Sequence, residues 1–210
     1  MEEKINTSVG EIFIRNDFDR AVVKEVIEDH EYERWGDITI KDHDLVVDCG
    51  AHIGSFTRLA LSKGVRVLAI EADQENFDML VKNTENSNNV TLLKAILWNG
   101  SDKKFLKDPQ RGELNKVDDK GILMPTISID QIVEKFDINR IDLLKMDIEG
   151  AEYEVLSHFK HLGIVQQLTM EWHYGSTKMA ELIIYLEKRG LTVVWEAGNG
   201  QWGKIQAKRL

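Results

Sequence analysis

The chain has 210 residues, 42% of them hydrophobic, with 2 Pro and 15 Gly, a composition that fills one domain-sized core and excludes a disordered polymer. A formal net charge of -9 with no Arg-rich run disfavours a protein that coats a nucleic-acid backbone. The single cysteine, Cys49, precludes an internal disulfide and points to a reducing compartment.

The opening residues, MEEKINTSVGEIFIRN, have no basic segment leading into an apolar one, so no secretory leader is expected. No apolar run reaches the ~20 residues that cross a bilayer, and a cytoplasmic protein without a membrane span is expected. Residues 9–15 alternate as a short strand does, and 18–32 repeat apolar side chains at helical spacing behind Asp17 or Asp19 as cap. Residues 37–40, DITI, read as a brief strand. Residues 1–43 are thus an N-terminal helix with short strands, expected to cover part of an acceptor site, and 44–210 form the main domain.

That domain repeats strand and helix. A buried strand holds Val46 and Val47, a helix over 55–64 ends at Gly64, and a strand spans 65–72. A helix over 73–88 and a strand over 89–98 follow, the alternation of a parallel sheet with helices on both faces. Residues 99–121 are the most polar and read as a hairpin remnant and a mobile loop. Residues 127–136 supply a short strand or turn and a helix. Strands over 142–148 and 164–172 are followed by helices over 149–159 and 177–190. The last twenty residues hold two strands around a glycine-containing turn, the last turned back antiparallel in a hairpin at the sheet edge.

Gly50 and Gly54 follow the first buried strand, where open sheets bind ligands. A dinucleotide fingerprint is Gly-x-Gly-x-x-Gly; here position 52 is His and position 55 is Ser. Losing the middle glycine suits a bulkier ligand without a pyrophosphate. Glu71, ending the second strand, can accept two hydrogen bonds from a ribose diol, so a nucleoside is expected.

The segments VVDCGAHIGSF, AIEAD and LLKMDIEGAEYEVL resemble the class I S-adenosylmethionine-dependent methyltransferases and, within them, the FkbM family. The resemblance runs from about residue 44 to 173. It implies a Rossmann-like, seven-stranded, mostly parallel sheet with an antiparallel last strand, and methyl transfer to a hydroxyl of a sugar, natural product or other small molecule, leaving S-adenosylhomocysteine. It implies that Asp48, Gly50 and Gly54 line the methionine part of the donor, that Glu71 holds the ribose, and that Asp147 lies near the transferred methyl. His52 stands where the family leads one to expect Asn.

An alcohol is a poor nucleophile, so a base or metal should weaken its O–H bond. His173, whose ordinary pKa is near neutral, is the expected base, with Asp147 or Glu171 orienting it or the acceptor. A divalent ion at Asp147, Glu171 and His173 is compatible with the same residue types. Glu149 reads either as a ligand contact or as a helix-dipole partner. Lys145 reads either as catalytic or as paired with a carboxylate. Cys49 reads as a small core side chain. Trp172 is expected to wall the acceptor pocket, Tyr174 to pack on adenine or acceptor, and the other tryptophans to pack in the core. Two alternatives remain open: a nicotinamide-dependent oxidoreductase and a methyltransferase-like module that binds without catalysis.

Overall fold

The computed structural model describes residues 2–35, 37–99, 103–107, 115–117, 122–124, 126–173 and 175–210. The chain opens with an antiparallel hairpin, β1 (Glu3–Thr7) and β2 (Gly10–Ile14), then α1 (Asp17–Val23), which runs on as a π-helical turn over Lys24–Glu28. Asn16 caps α1 by accepting from the Asp19 amide. The strand expected at 37–40 is absent, and those residues run as irregular chain. Ile38 is instead buried alone, a single anchor that needs no strand partner.

Next come β3 (Leu45–Cys49), α2 (Ser55–Leu61), β4 (Arg66–Glu71), α3 (Gln74–Thr84), β5 (Val90–Lys94) and a short β6 (Ile96–Leu97). Asp73 caps α3 through the amides of Glu75 and Asn76, which ends β4 and starts the helix within three residues. Within 99–121, expected as hairpin and loop, β7 (Lys103–Lys107) and β8 (Asn115–Val117) form a small antiparallel sheet with β9 (Ile122–Met124); the remainder lies largely outside the described residues. β10 (Thr126–Ile127) pairs with β6, and α4 (Ile129–Lys135) starts at a capping box of Ser128 and Gln131. The chain continues through β11 (Leu143–Met146), α5 (Glu152–His158), β12 (Gln167–Trp172), α6 (Ser176–Lys188), β13 (Thr192–Gly198) and β14 (Gly203–Lys208).

Seven strands form the main sheet in the order β13-β14-β12-β11-β3-β4-β5. β14 is antiparallel to both neighbours, and the other ladders are parallel. The closing hairpin lies at the edge as expected, with its last strand tucked inside and β13 outermost. Apolar side chains alternate between two buried layers. Val47, Cys49, Leu144 and Met146 join α4, α5 and α6, while Val46, Val67, Ala69 and Leu143 join α1, α2, α3 and the N-terminal hairpin. Asn83 ties that hairpin down, exchanging two hydrogen bonds with the Phe13 backbone and donating to the Ile53 carbonyl at 2.8 Å.

One polar row crosses the second layer. Asp48, Lys145, Thr169 and Gln206 stand in register on β3, β11, β12 and β14, and all are buried. The Lys145 ammonium lies 3.2 Å from Asp48 Oδ1 and donates to the Gly50 carbonyl at 2.6 Å. Thr57 donates to the other Asp48 oxygen at 2.6 Å, and Gln206 donates to the Tyr32 carbonyl at 2.9 Å. Burial works against the Lys145 charge, yet the charges of Asp48 and Asp147 raise its pKa. Lys145→Ala leaves Asp48 charged and buried without its counter-ion, and should cost about 3–5 kcal/mol, read as a lower urea midpoint. The double change Asp48→Asn with Lys145→Met should recover part of that loss.

Candidate functional site

Strand order reverses between the parallel β3 and β11: β4 and β5 build outward on one side, then the chain returns to place β11 on the other. Ligands of open sheets bind at the carboxyl ends of strands at such a switch point. Gly50 and Asp147 meet there. Gly50 has φ +78, and a Cβ on it would lie 1.7 Å from the Asp147 carbonyl oxygen, so only glycine allows the two strand ends to approach this closely.

A narrow cleft of about 150 Å³ opens above this crossing, and Gly50, His52, Glu71, Asn76, Asp147 and Glu149 are among its polar lining. Glu71 is 8% exposed. Its carboxylate accepts from the amides of His52 at 2.8 Å and Asp73 at 2.7 Å, which leaves a second lone pair on each oxygen for a diol. Burial raises its pKa, and the two amides counter that in part.

His52 lines the cleft from a left-handed backbone at φ +51. Burial lowers its pKa to about 4, so it stands neutral beside Arg15 Nη2 at 3.4 Å and Asp19 Oδ1 at 3.5 Å. Arg15 also binds Asp19 and donates to Asn76 at 2.8 Å, tying the N-terminal segment to the cleft. Asp48 and Gly54 do not line the cleft. Asp48 faces Thr57 and Lys145 from behind the turn. Gly54, at φ +93, lets α2 start against Leu80, whose Cδ1 a Cβ would meet at 2.8 Å.

At its outer end the cleft meets a second cavity of about 730 Å³, within the range of small-molecule sites. The two share walls made by Phe18, Val22, Val26, Tyr32, Asp147 and Glu149. At the junction Tyr32 donates to Asp147 Oδ2 at 2.8 Å. The other oxygen, Asp147 Oδ1, is buried and finds no hydrogen-bond donor among the described residues.

Glu152 builds the turn after β11. It is 0% exposed and accepts from the amides of Ile148 and Gly150, each at 3.1 Å, and from His173 Nδ1 at 3.2 Å. His173 Nε2 lies 3.6 Å from both Glu149 and Glu171. Burial alone would lower the His173 pKa, but hydrogen bonds to Glu152 and Glu171 and the charge of Asp147 outweigh it and push the pKa up to about 11. Burial, then Asp147, raises Glu149 to about 8. At neutral pH His173 is therefore an imidazolium and Glu149 is largely protonated. Atoms of Asp147, Glu149 and His173 converge within 4.8 Å of one another; Glu171, expected in that set, instead bridges His173 and Lys204.

Four of the five tryptophans reverse their expected roles, while Trp98 packs against the core as expected. Trp172 is 2% exposed and packs against Gly198 and Gly203, where any Cβ would meet its ring at 2.9 Å. Trp35, Trp195 and Trp202 line the outer cavity instead. Trp172 alternates toward the helix layer, whereas the other three sit on a loop and on the edge hairpin that overhang the strand ends. Cys49 is buried, and burial pushes its thiol pKa up, consistent with a core side chain. Tyr174 lies outside the described residues. Tyr32 and Lys204 carry no local signal in the sequence, and Glu152 has only its place as the last acid of KMDIEGAE.

The model of the methyltransferase FkbM domain matches residues 48–192. The hexuronic acid methyltransferase AglP of Haloferax volcanii is 28% identical over 140 residues, covering 64% of this chain and 58% of that protein. The chain thus aligns with less than two thirds of that relative. Among solved structures, M. jannaschii TYW2 in complex with AdoMet is 16% identical, covering 100% of this chain and 87% of that one, with a TM-score of 0.53. M. capricolum TrmK in complex with S-adenosyl-homocysteine is 11% identical, covering 81% and 64%, with a TM-score of 0.51. These two likenesses concern the fold.

The raised pKa values set a pH dependence. His173 binds its proton more tightly folded than unfolded, so its contribution is complete below about 6.5 and is lost as pH rises toward about 11. Glu149 acts in the same direction between 4.5 and about 8. Thermal melts should show stability falling from about pH 6 to pH 9, with a shallower slope in His173→Gln.

Proposed function

The chain belongs to the FkbM family of class I S-adenosylmethionine-dependent methyltransferases, and we propose that it methylates a hydroxyl oxygen of a sugar or a similar small molecule. The observation that carries this reading is Asp147 Oδ1, a buried acceptor without a donor among the described residues, at the junction of the narrow cleft that holds Glu71 and a roomy outer cavity. The hexuronic acid methyltransferase relative supports a sugar acceptor, and the net charge of -9 argues against a large nucleic-acid one.

The donor supplies an electrophilic methyl on a sulfonium, and the protein's task is alignment and proton removal. In this reading Glu71 accepts the ribose hydroxyls through its remaining lone pairs. The Gly50–His52 backbone and the junction at Asp147 hold the methionine end, with His52 as a neutral wall. Asp48 and Gly54 act indirectly, by fixing the turn. Asp147 Oδ1 accepts the hydrogen bond of the attacking hydroxyl. We assign proton removal to Asp147, Glu149, Glu171 and His173 as a unit, because a His173 pKa of about 11 leaves no free basic nitrogen at neutral pH. Residues 1–43 contribute Phe18, Val22, Val26, Tyr32 and Trp35 to the walls, which supports their role as a cover.

A divalent ion at Asp147, Glu149 and His173 is a second reading, favoured by the convergence of their ligand atoms; it would have to displace the proton on His173. Dialysis against a chelator followed by magnesium or manganese add-back separates the two, since only the metal reading requires lost and restored turnover. Release of S-adenosylhomocysteine with a sugar acceptor distinguishes an enzyme from a binding module. The nicotinamide alternative is disfavoured by family membership, and titration with the reduced cofactor checks it.

Calorimetry should show S-adenosylhomocysteine binding, and Glu71→Ala should weaken it at least roughly ten-fold with little change in melting temperature. Unchanged affinity would remove the ribose role. His173→Ala should lower kcat by about 10²-fold while S-adenosylhomocysteine affinity stays within roughly three-fold. A fully active variant would take His173 out of the catalytic unit.

A further inference from the structure

Five acidic side chains line the outer cavity among the described residues, Glu25, Glu31, Asp147, Glu171 and the largely protonated Glu149, against two cationic side chains, His173 and Lys204. Neither cation is available to an incoming anion. His173 is enclosed by Glu149, Glu152 and Glu171. The Lys204 ammonium is shared by Glu31 at 2.5 Å, Glu25 at 3.2 Å and Glu171 at 3.7 Å. Arg34 lies over the Trp35 ring at 4.8 Å and does not line the cavity.

The remaining wall is aromatic. Trp35 and Trp195 stack with centroids 5.5 Å apart and planes 8° from parallel, and Trp202 is 49% exposed. Indole faces carry negative charge density and favour the C–H faces of a ring over an anion. Carboxylate oxygens accept from hydroxyls but repel another carboxylate.

We propose that the outer cavity takes an uncharged sugar ring, seated against Trp202 and the Trp35–Trp195 stack, and rejects the hexuronate form of that ring. The inference rests on the sugar O-methylation reading above and departs from the acceptor named for the Haloferax volcanii relative. Specificity is set by an acid-saturated lysine. Glu31 is the partner held closest to Lys204, and while it is charged the ammonium has no share to offer a substrate carboxylate. A polar hydroxyl ring meets acceptors on one side and indole on the other, whereas a uronate meets like charge and no unshared cation.

The test uses the full chain saturated with S-adenosylhomocysteine. Matched methyl hexosides and methyl hexuronides of the glucose, galactose and mannose series are titrated by saturation-transfer NMR. At least one hexoside should bind, and its hexuronide should bind roughly ten-fold more weakly or less. Glu31→Gln should release Lys204 and narrow that gap at least about three-fold. Hexuronide binding that equals or exceeds hexoside binding in the series that binds best overturns the proposal, as does an unchanged gap in Glu31→Gln. Retained S-adenosylhomocysteine binding with no sugar bound also overturns it while leaving methyl transfer standing. Absent S-adenosylhomocysteine binding overturns the methyl-transfer reading beneath it as well.

Discussion

A buried ammonium organises the ligand end of this protein. Lys145 sits 3% exposed in the middle of the sheet, a position that is costly unless charge and hydrogen bonding are both matched. Asp48 supplies the charge, and the Gly50 carbonyl accepts a hydrogen bond. The turn after β3 is thereby tied to β11 from beneath, while Gly50, by lacking a Cβ, lets the Asp147 carbonyl close over it. The same ammonium lies 5.1 Å from the centre of the Tyr32 ring, and Gln206 in the same polar row holds the Tyr32 backbone. Tyr32 then donates to Asp147. A single row of polar side chains thus connects four strands and the N-terminal segment to one carboxylate, Asp147, at the junction of the two cavities.

A second rung lies directly above that row. Gly50, Asp147 and Glu171 follow Asp48, Lys145 and Thr169 by two residues, and Lys204 precedes Gln206 by two on the antiparallel β14, so period-two alternation puts them on the same face. The lower rung is buried and structural; the upper one lies at or beyond the strand ends and opens to the cavities. This explains why charge concentrates there without unfolding the sheet. Glu152 takes the place of a buried counter-charge for His173, and the imidazolium in turn moderates the repulsion among Asp147, Glu149 and Glu171. The cluster holds its protons collectively.

Residues 1–43 are part of the site as well as part of the core. Ile12, Ile14, Val23 and Ile27 bury against α2 and α3, while Phe18, Val22 and Val26 form a wall shared by both cavities. Arg15 connects the two functions by reaching Asp19, Asn76 and His52. The inner cleft and the outer cavity therefore depend on the same helix, and a change in its packing reaches both.

The sequence alone determined the alternating core, the Gly50 turn, Glu71 at the end of its strand and the closing antiparallel hairpin. These are local: period-two apolar runs, a glycine at a forced turn and an acid ending a strand are written within a few consecutive residues. Tertiary structure alone decided which side chains meet. Tyr32 reaches Asp147 across 115 residues of chain, and Lys204 reaches Glu31 across 173, separations over which no local pattern carries information. It also turned Trp172 inward and brought Trp35 against Trp195, because the direction of a tryptophan depends on the face its strand or loop presents to the assembled sheet. The ionisation of His173 belongs to the same class. Its neutral reference value is a property of the residue, and its shift comes from three carboxylates that only folding assembles around it.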